Sequence, residues 1–317
     1  MQITPVIVGS SGWISSAAQK YFWNSNSGFG PPIVLGSRKR ACNIYGNNIL
    51  PLGEAVQLLS SLRPRNLAVF HFAYLTQEQV VGDAGSYLER IDAINQAVIA
   101  ILEQLPVSSL VYASSGAAGF DFSRASVASS SKFIYGKKKF KDEILFHKIC
   151  CARKIKYLAP RIFGLGGNYI NKLDGYALSN MILQALNSGE ITVRSKFPVW
   201  RSYVNVNDLI ELLAKRVARD DGSKIVSERF DATLGITAEM GDLATSICRS
   251  LGIGQEKIHR IGYNVNAEPD CYIGNSDQFI SMAQQLDHEW SDLDDIVDQT
   301  IVYIKTILRQ GAGLVGR

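Results

Sequence analysis

The chain has 317 residues, 46% hydrophobic and 20% charged, enough for one large domain with a smaller lobe or for two domains of modest size. Its formal net charge of +4 is small, and Lys and Arg are scattered apart from clusters at residues 38–40 and 137–141. That pattern argues against a nucleic-acid binder and suits anionic small molecules. No apolar stretch approaches the roughly 18–20 residues of a membrane span, and no charged leader precedes the first apolar run. A soluble, cytoplasmic protein with no membrane partner is the expectation.

In chain order, residues 5–9 (PVIVG), 33–36 (IVLG), 67–72 (LAVFHF) and 110–114 (LVYAS) are short apolar runs bounded by turn residues, and 157–163 is a further candidate. Continuous apolar runs of this length fit strands covered on both faces. Helical patterns occupy 15–23, 54–62, 87–105 and 135–151. The alternation predicts βαβ units and an α/β fold with a doubly wound parallel sheet. A Ser-rich piece at 123–131 reads as a loop. After Phe163 the rhythm changes to Gly-rich turns, a helix near 176–186, short elements and an amphipathic helix at 293–308. The five cysteines, Cys42, Cys150, Cys151, Cys248 and Cys271, contain no CxxC spacing. Neither a disulfide framework nor a zinc site is expected, and the adjacent Cys150 and Cys151 read as small buried side chains.

Four features carry chemistry. The first is GSSGWIS, residues 9–15, between the first strand and the first helix. Gly9 and Gly12 permit a tight turn and close approach of a pyrophosphate, with Ser11, Trp13 and Ile14 around it at the helix N-terminus. The same spacing also occurs in ordinary turns. The second is the end of the second strand, where an NAD site usually carries an acid for the ribose and an NADP site an arginine for the 2′-phosphate. Here Arg38, Lys39 and Arg40 follow, and no Asp or Glu occurs between Gly28 and Pro51. Arg38 is the candidate phosphate ligand, so NADP(H) is favoured with NAD(H) possible. The alternative is a solvated charge run.

The third is Tyr135 and Lys139, four apart and so on one helical face. Free tyrosine, with a pKa of about 10, is a poor base at neutral pH, and a neighbouring lysine cation brings it toward the working range. Lys137 and Lys138 read as solvated. The fourth is Ser114-Ser115, ending a strand on the edge where such sheets bind ligands, with Ser115 able to share a substrate oxygen with Tyr135.

Taken together these motifs resemble the extended short-chain dehydrogenase/reductase family, in particular its nucleotide-sugar epimerases, dehydratases and reductases. The resemblance covers nearly the whole chain. GSSGWIS is similar to the family's GxxGxxG, with Ser15 in place of the third glycine, and HFAY at 71–74 to its cofactor-lining HLAA. VYASS and YGKKK resemble VYxSS and YGxSK, with Glu143 at a familiar spacing. Arg161-Ile162-Phe163 resembles the segment closing over the nicotinamide, with Gly164 where the family often has a substrate-binding Asn. The stretch from Trp200 to Asp208 resembles RxFVxVxD, whose arginine, Arg201 here, commonly binds the substrate diphosphate. Phe230-Asp231-Ala232 resembles the strand that follows, and 285–308 the closing helices.

The resemblance implies a Rossmann-type NAD(P)-binding domain at 1–165 plus about 202–235, and a smaller α/β substrate lobe at about 166–201 and 236–317. It implies hydride transfer with Ser115, Tyr135 and Lys139 as catalytic residues, and with Phe72, Ala73, Tyr74, Ser114, Ile162 and Phe163 among the cofactor contacts. Substrate contacts would be Ser115 and Arg201. Ser115 is followed by Gly116, Ala117 and Ala118 where dehydratases place Asp and Glu, which argues against a 4,6-dehydratase. The arginines favour an NADPH-consuming reductase of a nucleotide-diphosphate keto-sugar. The alternatives are an epimerase with tightly bound NAD and, from another class, a non-catalytic cofactor sensor. The helices at 87–105 and 135–151 resemble those that pair in a homodimer, although Leu88, Ile91, Val98, Leu102, Ile144 and Leu145 would equally suit an internal core.

Overall fold

The computed structural model describes all residues except 1, 25–26, 37–48, 81–82, 121, 123–129, 223–225 and 315–317, with 311–314 described as backbone. The chain divides into a unit of Met1–Ile162 with Leu213–Phe230 and a unit of Phe163–Leu212 with Asp231–Arg317.

The first unit runs β1 (Thr4–Val8), α1 (Trp13–Trp23), β2 (Ile33–Gly36), β3 (Ile49–Pro51), α2 (Ala55–Ser61), β4 (Leu67–His71) and α3 (Ala84–Gln104). It continues through β5 (Val107–Tyr112), β6 (Ser114–Ser115), α4 (Ser131–Arg153) and β7 (Lys156–Ile162). The sheet order is β3-β2-β1-β4-β5-β7, with the strand Ser227–Ala232 on the far edge and β6 beside β7. The pairs among β1 to β7 are parallel. This is the doubly wound sheet expected from the alternating pattern, and its order reverses between β1 and β4, the place where such sheets bind ligands at their C-terminal edge.

The apolar runs are continuous because both faces of the sheet are covered. Val6, Val8, Val69, Leu110, Tyr112 and Tyr157 pack with Val98, Ile101 and Leu102 of α3 and with Phe146 and Cys150 of α4. The intervening Phe70 faces the other layer, where its ring lies 4.8 Å from that of Phe22 on α1. Each such fully buried side chain contributes about 1.5–3 kcal/mol of transfer free energy. Two helices begin ahead of their apolar pattern because polar caps start them. Asp83 accepts from the N–H groups of Gly85 and Ser86 at 2.9 and 3.2 Å, and Ser130 accepts from that of Phe133 at 3.2 Å.

The second unit contributes β8 (Gly164–Gly166), α5 (Ala177–Ser188), β9 (Ile191–Thr192) and β10 (Val199–Asn205). α6 (Val206–Ala218) and β11 (Ser227–Ala232) then cross the division between the units. After them come β12 (Thr237–Glu239), α7 (Met240–Leu251), β13 (Ile258–His259), β14 (Asp270–Tyr272), α8 (Asp277–Gln285) and α9 (Leu293–Leu314). β10 is its central strand, parallel to β8 and β14 and antiparallel to β12. Asn205 donates to Ser291 and Gln299 at 3.0 and 2.9 Å, tying the end of β10 to α9 and the segment before it. The closing helical region at 285–308 is interrupted. Asp287 adopts φ 45°, and Asp292 and Asp295 accept reciprocally from each other's backbone N–H to start α9 afresh.

Among the described residues, no helix is long and apolar enough to cross a membrane, and no group of three or more His, Cys, Asp or Glu is placed to hold a metal ion. Cys150 and Cys248 are buried free thiols, Cys151 is half-buried and Cys271 exposed; Cys42 lies outside the described residues. Burial pushes the Cys150 thiol up to about 12.

Candidate active site

The glycine loop is built for close approach. Gly9 has φ +111°, and a Cβ there would lie 3.0 Å from the Ala73 nitrogen and 3.1 Å from Ser15 Oγ. Phe72 N donates to Val8 O at 2.9 Å, carrying the chain beyond β4 across the end of β1 and setting Ala73 against Gly9. Gly12 is the N-cap of α1, so no side chain caps the first turn, and no acidic residue occupies it. The positive end of α1, with Trp13, Ile14 and Ser15 in its first turn, is therefore suited to an anion. Gln19 donates to Ser10 O at 3.1 Å and fixes the loop from below. Ser15, in the third glycine's place, is buried with its Oγ lacking a hydrogen-bond partner. A dinucleotide pyrophosphate fits this cradle. Arg38, expected to hold a 2′-phosphate, lies outside the described residues, as do Lys39 and Arg40.

The catalytic candidates come from β6 and α4. Ser114 and Ser115 extend the sheet opposite Arg161 and Ile162 of β7. Ser115 Oγ accepts from Ala117 N at 3.3 Å. Gly136 explains how this turn meets α4, since a Cβ there would collide with Ala117 O. Only glycine lets the helix press against the turn that follows Ser115, and Tyr135 is its immediate neighbour. Ser114 donates to Glu143 Oε1 at 2.5 Å, so its hydroxyl is engaged with the protein. Glu143 is 0% exposed, and Arg161 holds it through a two-point contact at 2.9 and 2.8 Å. This clamp locks the second turn of α4 beyond Tyr135 to β6 and β7.

Lys139 is 3% exposed. Its Nζ donates to Ala113 O at 2.6 Å and lies 3.4 Å from the ring centroid of Tyr74 and 4.9 Å from that of Tyr112. Burial lowers its pKa from 10.5 to about 7, opposed by the nearby Asp142 and Glu143. Tyr135, half-buried, meets Tyr74 edge to face with centroids 5.9 Å apart. A phenol at the sheet edge, one helical turn from a buried ammonium, is the arrangement a proton shuttle needs. Beneath it His71 contacts Asn95 at 3.1 Å, and burial lowers its pKa to about 4, so its imidazole is neutral.

Lys138 corrects the reading from sequence. It is not solvated: it is 9% exposed, paired with Asp92 at 2.8 Å and with Asp142 on the next turn. Lys137 is exposed, as expected. The sequence reading missed Asp142 and the partners of Glu143; the only available signal was their i,i+4 spacing from Lys138 and Lys139.

In the second unit, Phe163 packs on Tyr272 with ring centroids 4.7 Å apart. Gly164 stands where the family often has Asn because a Cβ there would lie 2.6 Å from Ser202 O. Arg201, on β10, is engaged by Asp270: its Nη2 donates to Oδ2 at 2.6 Å and its Nη1 to the Asp270 carbonyl at 3.0 Å.

Residues 6–227 match the family model described as the NAD dependent epimerase/dehydratase family. No curated protein matches the sequence. Among solved structures, the chain is similar to UDP-glucose-4-epimerase from Stenotrophomonas maltophila with bound NAD and formylated UDP-arabinopyranose. That match has TM-score 0.75 and 16% identity, covering 97% of this chain and 99% of that one. It is similar also to UDP-N-acetylglucosamine 4-epimerase from Methanobrevibacter ruminantium in complex with UDP-N-acetylmuramic acid (TM-score 0.72, 16% identity, 96% and 99% covered). A third is dTDP-glucose 4,6-dehydratase from Bacillus anthracis in complex with NAD (TM-score 0.67, 11% identity, 96% and 97% covered). At these identities the structural likeness establishes the fold.

Proposed function

The chain belongs to the NAD-dependent epimerase/dehydratase family, and from that premise we propose that it epimerises a nucleotide-diphosphate sugar with NAD as a recycled carrier. The observation that carries the reading is Lys139, buried on Ala113 O and the Tyr74 ring one helical turn from Tyr135. The solved epimerases it resembles support an epimerase over the reductase expected from Arg38.

Bound NAD would supply a reversible hydride acceptor. Gly9, Ser11, Gly12, Trp13 and Ile14 would hold its pyrophosphate, and Phe72, Ala73, Tyr74, Ser114, Ile162 and Phe163 would line it. Tyr135 takes the proton from the sugar hydroxyl and later returns it, so no net proton crosses to solvent. Lys139 stabilises the phenolate and holds the nicotinamide ribose, and Ser115 orients the sugar oxygen. Arg201, held here by Asp270, would exchange that carboxylate for the diphosphate. With Gly116, Ala117 and Ala118 after Ser115, no carboxylate stands there to eliminate water.

One observation favours a second reading. Arg38 and Arg40, with no acid between Gly28 and Pro51, suit NADPH and a keto-sugar reductase. Cofactor turnover separates the two: an epimerase converts its substrate with no net change in nicotinamide absorbance, whereas a reductase consumes NADPH stoichiometrically. A homodimer would bury the groove between α3 and α4, where Leu88, Phe133, Ile134 and Leu145 stand among the charged Asp92, Lys137, Lys138, Lys141 and Asp142. Ile91, Val98 and Leu102 belong to the internal core.

A further inference from the structure

We infer that Tyr74 is a positioning residue for the catalytic pair, its ring seating the Lys139 ammonium and bracing Tyr135 while Asp142 anchors its hydroxyl. This deepens the proposed function at the same site and rests on that reading for the roles of Tyr135 and Lys139. Tyr74 takes the last position of the segment HFAY, where the resemblance has a small residue. Its ring face lies 3.4 Å from Lys139 Nζ, and it meets the ring of Tyr135 at 5.9 Å and 88°. Its hydroxyl donates to Asp142 Oδ2 at 3.0 Å.

Asp142 is buried, and its other oxygen takes Lys138, whose Nζ also reaches the exposed Asp92 at 2.8 Å. Lys138 also departs from the family pattern, standing where YGxSK has serine. The departures depend on one another, because a buried Asp142 needs both the Lys138 cation and the Tyr74 hydroxyl. Neither Asp142 nor Lys138 has a role of its own in the proposed reaction. Their common effect is to fix the Tyr74 ring beneath the lysine.

A cation over an aromatic face is attracted to it, most strongly when desolvated. Several groups face Lys139. Asp142 and Glu143 favour its charged form and Lys138 opposes it, on α4; His71, neutral, comes from β4; Tyr112 lies beneath, on β5; and the Ala113 carbonyl accepts a hydrogen bond from it. The Tyr74 ring adds to the charged side and holds the ammonium where it stabilises the Tyr135 phenolate. Tyr74 itself titrates far above the working range because of burial and the nearby Asp142 carboxylate, so it is silent in the measurement.

The test is a pH titration of the ¹³C-labelled lysine Cε resonance of Lys139 in the full chain, assigned with Lys139→Met, in wild type, Tyr74→Leu and Tyr74→Phe. It requires neither substrate nor cofactor, so its outcome is independent of which sugar reaction the protein performs. Leucine keeps the seat apolar but removes both the aromatic face and the hydroxyl, and phenylalanine removes the hydroxyl alone, so the difference between the two variants isolates the ring. Tyr74→Leu should lower the Lys139 midpoint by about one pH unit, the size of a lost desolvated cation–π contact. Tyr74→Phe, keeping the ring without its anchor, should shift it by less than half as much. A Lys139 midpoint unchanged in folded Tyr74→Leu would overturn the inference and leave Tyr74 a packing residue. Should Tyr74→Leu fail to fold, the wild-type proton spectrum decides. The Lys139 ε-methylene resonances must be shifted upfield by the Tyr74 ring current, and unshifted resonances would also overturn the inference.

Discussion

Replacing Lys139 by methionine should remove a pH dependence from folding. Burial places the folded-state pKa of Lys139 at about 7 against an ordinary 10.5. Between those values the unfolded chain binds more protons than the folded one, so this residue makes stability rise with pH; below pH 7 the whole cost of burying the ammonium is present. At about 1.4 kcal/mol per unit, the full cost approaches about 5 kcal/mol, and the part recovered between pH 7 and 9 is about 2 kcal/mol. Methionine preserves most of the packing. It leaves Ala113 O without its donor, a penalty that does not vary with pH. The assay is urea unfolding of wild type and Lys139→Met at pH 7, 8 and 9, taking the difference at each pH so that other titrating groups cancel. Stability of the variant relative to wild type should fall by about 2 kcal/mol from pH 7 to 9. A difference constant across that range would refute the reasoning and place Lys139 in contact with water.

Tyr135→Phe should lower kcat by about 10²–10⁴-fold while leaving thermal unfolding and NAD binding near wild type, as read by steady-state kinetics and cofactor fluorescence. Gly9→Ala should cost more than about 1 kcal/mol and abolish detectable cofactor binding, because φ +111° and the 3.0 Å approach of Ala73 N leave no room for the methyl. Glu143→Gln should destabilise by about 3–5 kcal/mol in urea, since it removes the buried charge that holds Arg161 and Ser114. Gly136→Ala should separate α4 from the turn at Ala117, costing about 1–3 kcal/mol and lowering kcat more than it raises KM.

The parallel sheet was legible because β1, β4 and β5 are covered on both faces, which leaves near-continuous apolar runs in the sequence. β3 was not, since three residues, Ile49–Pro51, carry no period. The starts of α3 and α4 were read late because apolar spacing locates the buried face of a helix, whereas Asp83 and Ser130 start the helix earlier through their side-chain acceptors. At the site, Gly9 was readable from its place at a strand end. Lys138 was misread because its burial depends on Asp92, forty-six residues away in sequence and on another helix. For the same reason the seating of Lys139 by Tyr74, across β4 and α4, could not be read from either segment alone.

The central claim is tested most directly by incubating the purified protein with catalytic NAD and a panel of nucleotide-diphosphate hexoses, following products by ¹H NMR and nicotinamide absorbance together. The account predicts conversion of one member of the panel to its epimer, approached from both directions, with no net change in absorbance and with loss of conversion in Tyr135→Phe. Stoichiometric oxidation of NADPH by a keto-sugar nucleotide, with no epimer formed under NAD, would contradict it and make the reductase the correct reading.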